Sequence, residues 1–216
     1  MNESLLQFGL TAFVTLLVVV DPFGVVPIFA GLTQGMIVSE RRRIVTRAVI
    51  ISLGVTIFFL LAGRAVLSHL GVTVHAFGIN GGILLFATAL PMLFGQRPGL
   101  QAPERNEHGT AGEDIAIFPL AIPLLSGPGT IATVLLLSTQ AGGGGGASSL
   151  IVLAAAILFV YLIALVVLHA GDRLMSRVGE GKVHILTRVM GIILAALAVQ
   201  YVLNGVTGYY TSLTAH

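Results

Sequence analysis

The chain has 216 residues, 56% of them hydrophobic and only 9% charged. Soluble domains carry roughly 25% charged and about 45–50% apolar residues, so a soluble enzyme, a disordered tail and a nucleic-acid-binding module are excluded. With a net charge of +2, the placement of the basic residues says more than their sum, and the absence of cysteine rules out a disulfide framework or a thiolate metal site.

A helix needs about 20 apolar residues to cross roughly 30 Å of hydrocarbon. The first stretch that qualifies runs near 5–32 and is interrupted by Asp21-Pro22-Phe23-Gly24. Its leader, Met1-Asn2-Glu3-Ser4, has no Lys or Arg, and no A-x-A-like site follows. It reads as a retained first span, not a cleaved signal peptide. The second and third stretches lie near 44–70 and 74–95. The fourth, near 115–137, is interrupted by Ser126-Gly127-Pro128-Gly129. The fifth and sixth lie near 149–169 and 185–205. Gly142 to Gly146, between the fourth and fifth, predicts a flexible connector that no helix crosses. The expected fold is an all-α integral membrane protein with six transmembrane helices, the first and fourth discontinuous.

Of the 11 Lys and Arg residues, Arg41, Arg42, Arg43 and Arg47 fall between spans 1 and 2 or just inside span 2. Arg97 and Arg105 fall between spans 3 and 4, and Arg173, Arg177, Lys182 and Arg188 between spans 5 and 6 or just inside span 6. Only Arg64 falls toward the other side. This bias puts those three connections in the cytoplasm and both termini outside. The acidic residues Glu104, Glu107, Glu113 and Asp114 in the third connection count little in that rule.

Aligning Pro22 with Pro128 superimposes the two interruptions at an offset of 106 residues. Independently, Gly82-Ile83-Leu84-Leu85 resembles Gly191-Ile192-Ile193-Leu194 at an offset of 109. The chain therefore reads as one transmembrane domain with two copies of a three-span unit, about 1–95 and 115–216, joined by a cytoplasmic loop at about 96–114. An odd number of spans makes the copies insert with opposite orientation. Inverted repeats with paired broken helices are a design of secondary transporters.

Non-helical backbone at membrane depth is tolerated only where protein buries it or a cavity needs it. Pro22, Pro27, Pro123 and Pro128 remove amide donors and obstruct the helical turn before them. Asp21 followed by Pro22 reads as the N-cap and first residue of a second half-helix. Ser126 or Gly127 before Pro128 offers the same arrangement. Half-helix N-termini favour an anionic group such as a carboxylate, and carbonyls freed at the break suit an ammonium or cation. Small surroundings with no Lys or Arg in a span core fit a small neutral amino acid.

The expected lining is Asp21, Phe23, Gly24, Ser126, Gly127, Gly129, Thr130 and Thr133, with Asn80 beside Gly81-Gly82. Asp21, the one acidic residue inside a span, is the candidate for proton coupling or ammonium pairing besides its capping role. Gln200 and Asn204 read as interfacial. Gly78/Gly82 and Gly191/Ala195 read as helix-packing faces. No metal or other cofactor is expected beyond a coupling H+ or Na+. The expected partners are the substrate, the lipid bilayer and a second copy of the chain in a homo-oligomer.

Val20-Asp21-Pro22-Phe23-Gly24-Val25-Val26-Pro27 resembles the opening signature of the MarC family of six-span membrane proteins. Pro119 to Ile131, reading PLAIPLLSGPGTI, resembles its second signature. The resemblance covers essentially the whole chain, and Phe23 stands where many members have a smaller aliphatic residue. It implies a SnatA-like transporter of glycine and alanine in the cytoplasmic membrane, coupled to an ion gradient, with protons the expected ion.

Two rival classes are disfavoured. An intramembrane serine protease built on Ser126 would want glycine where Leu124 stands and a histidine in span 6, whereas His184 precedes that span. A channel would want a ring of charged side chains, and each chain offers one aspartate.

Overall fold

A computed structural model of the chain describes residues 3–94, 115–144, 146–171 and 180–214. The expected loop at about 96–114, Arg173 and Arg177 lie outside these residues. The apolar runs form helices because a chain in lipid must satisfy its own amide and carbonyl groups. In order these are α1 (Glu3–Val20), α2 (Pro22–Leu32), α3 (Val38–His69) and α4 (Val74–Phe94). An irregular segment, Ala116–Leu125, precedes α5 (Pro128–Gly144), α6 (Gly146–His169) and α7 (Glu180–Thr214). Five spans are long and apolar enough to cross a membrane: Glu3–Leu32, Val38–His69, Val74–Phe94, Gly146–His169 and Thr187–Ser212. A sixth crossing is available from Ala116–Leu125 with Pro128–Ala141, which meet at 47°. The protein is an all-helical, multi-pass membrane protein.

The hairpin between α3 and α4 shows why the ends fall where they do. Gly71 takes φ 67, a left-handed position that glycine adopts without a Cβ penalty. The Val72 amide then donates to Leu67 O at 2.9 Å and the Gly71 amide to Ser68 O at 3.2 Å, closing α3. Two residues later Thr73 Oγ1 accepts from the Ala76 amide at 3.1 Å and opens α4.

Two expectations are corrected. Helical structure enters the glycine run, with α5 reaching Gly144 and α6 beginning at Gly146, which takes φ 56. Antiparallel neighbours joined by a very short connection leave no room for a long loop, and glycine supplies the turn. Pro27 does not break the first span, because α2 runs through it from Pro22 to Leu32. Near the start of a short helix a missing amide removes one bond, and the flanking helices hold the rest.

The main apolar core joins α1, α2, α3, segment 116–125, α5 and α6, with Leu16, Val45, Leu120, Leu125 and Ile157 almost fully buried. A second core joins Val19 of α1 to Leu85 and Ala89 of α4 and to Leu194, Ala198 and Tyr201 of α7. Helices α4 and α7 pack closely along their length. Small residues allow this approach. A Cβ on Gly82 would come within 2.6 Å of Ala198 O and 3.1 Å of Val202 N. One on Gly191 would come within 3.4 Å of Ala89 O and 3.3 Å of Leu93 N. Gly78, the other expected packing glycine, lies against Leu136.

Candidate functional site

The two interruptions differ in kind. In the first span a single residue departs from the helix: Asp21, with φ 41 and ψ 61, is the one described non-glycine residue at positive φ. Aspartate tolerates this region better than most residues. Helical bonds continue on both sides, from the Asp21 amide to Leu17 O (3.0 Å) and from the Val25 amide to Asp21 O (3.2 Å). Glu3–Leu32 therefore counts as one span with a one-residue hinge, a milder discontinuity than expected. Asp21 is buried, and its Oδ1 accepts from the Gly24 amide at 3.1 Å. The N-cap role holds. The same bond places the chain's own carboxylate where an anionic ligand was expected at α2.

The fourth span unwinds over a longer stretch. Phe118 (φ −129, ψ 124) and Ile122 (φ −124, ψ 120) are extended. Each precedes a proline, Pro119 or Pro123, and the residue before proline is pushed out of the α region. Two such pairs four residues apart leave no room for regular helix. The break comes at Ser126-Gly127, as expected. Gly127 is required there because a Cβ would run into the Pro123 carbonyl.

Two of the carbonyls at the break are occupied. Ala121 O accepts from the Ser126 amide and from Ser126 Oγ, both at 2.9 Å, and from Ser52 Oγ of α3 at 3.4 Å. Leu125 O accepts from the Tyr161 hydroxyl of α6 at 3.0 Å and from Thr130 Oγ1 at 3.2 Å. Tyr161 OH also lies 2.7 Å from Thr56 Oγ1 of α3. On the other side of α5, Tyr201 OH of α7 donates to Thr133 Oγ1 at 2.9 Å, and Thr133 Oγ1 donates to Gly129 O at 2.8 Å. Ser126 closes the segment before the break and does not cap α5.

Sequence reasoning missed Ser52, Thr56, Tyr161 and Tyr201. A signal was available: buried tyrosine hydroxyls need partners, and Ser52 and Thr56 stand one turn apart on one helical face.

The structure brings Ser126, Gly127, Gly129, Thr130 and Thr133 together at the second break, and Asp21 and Gly24 at the first. Phe23, beside Gly24, is half-buried. Asn80 is exposed, so its side chain lines no buried site here. Gln200 Nε2 donates to Asn204 Oδ1 at 2.7 Å on an exposed face. Both breaks lean on α4: Gly24 sits against Met92, and Gly129 against Leu85. Seven residues separate Leu85 and Met92, about 10 Å along a helix. Two grooves open on the surface, and neither is lined by a residue of either break. Among the described residues no group of three or more His, Cys, Asp or Glu could hold a metal ion.

Residues 6–210 match the family described as MarC family integral membrane proteins. The chain is 35% identical over 211 residues to the UPF0056 membrane protein YvbG of Bacillus subtilis, covering 97% of this chain and 99% of that one. It is 33% identical over 212 residues to the UPF0056 membrane protein MJ0972 of Methanocaldococcus jannaschii, covering 98% and 92%. The UPF0056 inner membrane protein YhgN of Escherichia coli is 36% identical over 207 residues, covering 95% and 97%. No solved structure gives a significant match. With the match spanning nearly every residue from the first helix to the last, the chain belongs to the MarC family of integral membrane proteins.

Proposed function

We propose that the protein is a secondary transporter of small neutral amino acids, glycine and alanine first, working by alternating access between two inverted three-span repeats. The observation that carries this reading is the reciprocity of the α4–α7 contact. Gly82 approaches Ala198 and Val202, while Gly191 approaches Ala89 and Leu93. Adding 109 to 82, 89 and 93 gives 191, 198 and 202, so exchanging the copies turns one set of contacts into the other. A twofold axis between two copies produces this pattern. Thr56 and Tyr161, hydrogen-bonded across 105 residues, are separated by nearly the same offset, as expected of positions close to such an axis.

The copies are not packed alike. Helix α5 lies closely on α4, through Leu136 on Gly78, Ala132 on Gly81 and Gly129 on Leu85. The corresponding pair, α2 and α7, touches lightly among the described residues. This asymmetry supports a conformation closed on the α5 side. The conformation of opposite access has α2 closing on α7.

Within this scheme the ammonium of the substrate pairs with Asp21, and its carboxylate takes the N-terminus of α5. The α2 N-terminus already holds a carboxylate, and like charges repel there. Because the two breaks touch α4 at residues about 10 Å apart along its axis, a small amino acid is gripped at both ends only after the copies move together. Asp21 is also the proton carrier in the coupled cycle. Following the arginine distribution and the inner-membrane relative, the protein lies in the cytoplasmic membrane with both termini outside. It is not an enzyme in this reading.

Radiolabelled glycine uptake into proteoliposomes, with and without an imposed pH gradient, tests the proposal. Saturable uptake that the gradient drives uphill supports it. Uptake no faster than in protein-free liposomes refutes it.

A further inference from the structure

The cleft between α3 and α6 plays no part in the transport reading. At one end of the two helices it opens as a groove of about 430 Å³ lined by Arg42, Leu165, Val166, His169 and Ala170. His169 Nδ1 lies 2.8 Å from Leu165 O, which holds the ring, and Nε2 faces Thr46 Oγ1 at 3.5 Å. The head of the groove therefore gathers a guanidinium, an imidazole and a hydroxyl.

Away from that head the walls turn apolar. On α3, Arg42, Thr46, Ile50 and Gly54 recur at every fourth residue, a ridge that winds slowly round the helix. All four are exposed, Ile50 at 63%. A Cβ on Gly54 would meet nothing within 4 Å. On α6, Leu162 and Val166 are 51% and 60% exposed and stand on the same face as His169. A basic mouth at the end of two spans thus adjoins exposed apolar surface on both of them.

We propose that this cleft binds one anionic phospholipid, its headgroup phosphate on Arg42 and His169 and an acyl chain along Ile50, Gly54, Leu162 and Val166. Arginine recognises phosphate through paired N–H donors, and basic pockets between spans select anionic headgroups. A free phosphate would use only the mouth and leave the adjoining apolar surface of Ile50, Leu162 and Val166 unused. The inference does not depend on what the protein transports.

The test is thermal unfolding of the purified full chain in detergent, titrated with dioleoyl phosphatidylglycerol, dioleoyl phosphatidylcholine or inorganic phosphate. Phosphatidylglycerol is expected to stabilise at a concentration about fivefold or more below that for phosphatidylcholine, the effect of one basic group at an anionic headgroup. Arg42→Gln with His169→Gln removes that preference. Gly54→Leu puts a side chain into the open space where a Cβ meets nothing, in the path of the acyl chain, and weakens both lipids. Equal response to the two lipids, or a preference that survives the double variant, overturns the proposal. If inorganic phosphate matches phosphatidylglycerol and Gly54→Leu changes neither, the cleft is an anion site and the lipid assignment is wrong. Should the double variant not fold, Gly54→Leu still decides.

Discussion

The hydroxyl of Tyr161 bridges Thr56 Oγ1 of α3, at 2.7 Å, and the carbonyl of Leu125, at 3.0 Å, the last residue before the break in the fourth span. Three separate stretches of chain meet at one buried oxygen. Regular helix would have satisfied that carbonyl from within; here the Tyr161 hydroxyl and Thr130 Oγ1 together satisfy it in an apolar setting. Tyr161→Phe keeps the ring and removes the oxygen. We expect a loss of about 1 kcal/mol, within the range for hydrogen bonds between spans. Thermal unfolding of Tyr161→Phe, Thr56→Val and the double variant measures it. The double variant should cost less than the two singles added together, because they share one network.

Asp21 has a capping role and a proposed ligand role, and substitution separates them. Asn keeps an acceptor for the Gly24 amide and tolerates the left-handed backbone. Ala keeps neither. Asp21→Ala should lower stability by about 1–2 kcal/mol, while Asp21→Asn stays close to wild type. If the carboxylate also meets the substrate ammonium or carries the proton, Asp21→Asn abolishes pH-driven glycine accumulation while leaving thermal stability intact. Accumulation that persists in Asp21→Asn removes the coupling role.

The glycines on the α4–α7 seam make a paired prediction. Gly82→Val and Gly191→Val both push branched side chains into the opposing backbone, and each should cost about 1–3 kcal/mol. Gly82 has the tighter fit, 2.6 Å to Ala198 O against 2.9 Å from Gly191 to Met92 Cβ, so its substitution should cost more. Gly31→Ala is the control: a Cβ at this position of α2 would meet nothing within 4 Å, and helix propensity favours alanine by about 1 kcal/mol. Thermal midpoints of the three variants check the ordering.

The spans and the break at Ser126-Gly127 were legible in the sequence because each rests on a sum or on a hard steric rule. About 20 apolar residues announce a span whatever their order, and Gly127-Pro128-Gly129 cannot continue as ordinary helix. Which way a side chain faces was not legible. A span that is apolar on every side carries no period, so nothing distinguished Asn80, which is exposed, from Thr133, which is buried. The hydroxyls that occupy the break were hidden for a related reason: Ser52, Thr56 and Tyr161 act across more than 35 residues of chain and become partners only when three helices assemble. The mild effect of Pro27 was equally hidden, because a proline's consequence depends on what holds the helix around it, and α2 is held by α6.

Glycine counterflow tests the transport claim most directly. Proteoliposomes are loaded with unlabelled glycine, diluted into a trace of labelled glycine, and followed over time. A carrier gives a transient, saturable overshoot of label inside, which alanine loading reproduces and Gly129→Val diminishes by forcing the Leu85 side chain away from the break. Label that merely equilibrates, at a rate indifferent to what was loaded, would contradict a carrier with alternating access.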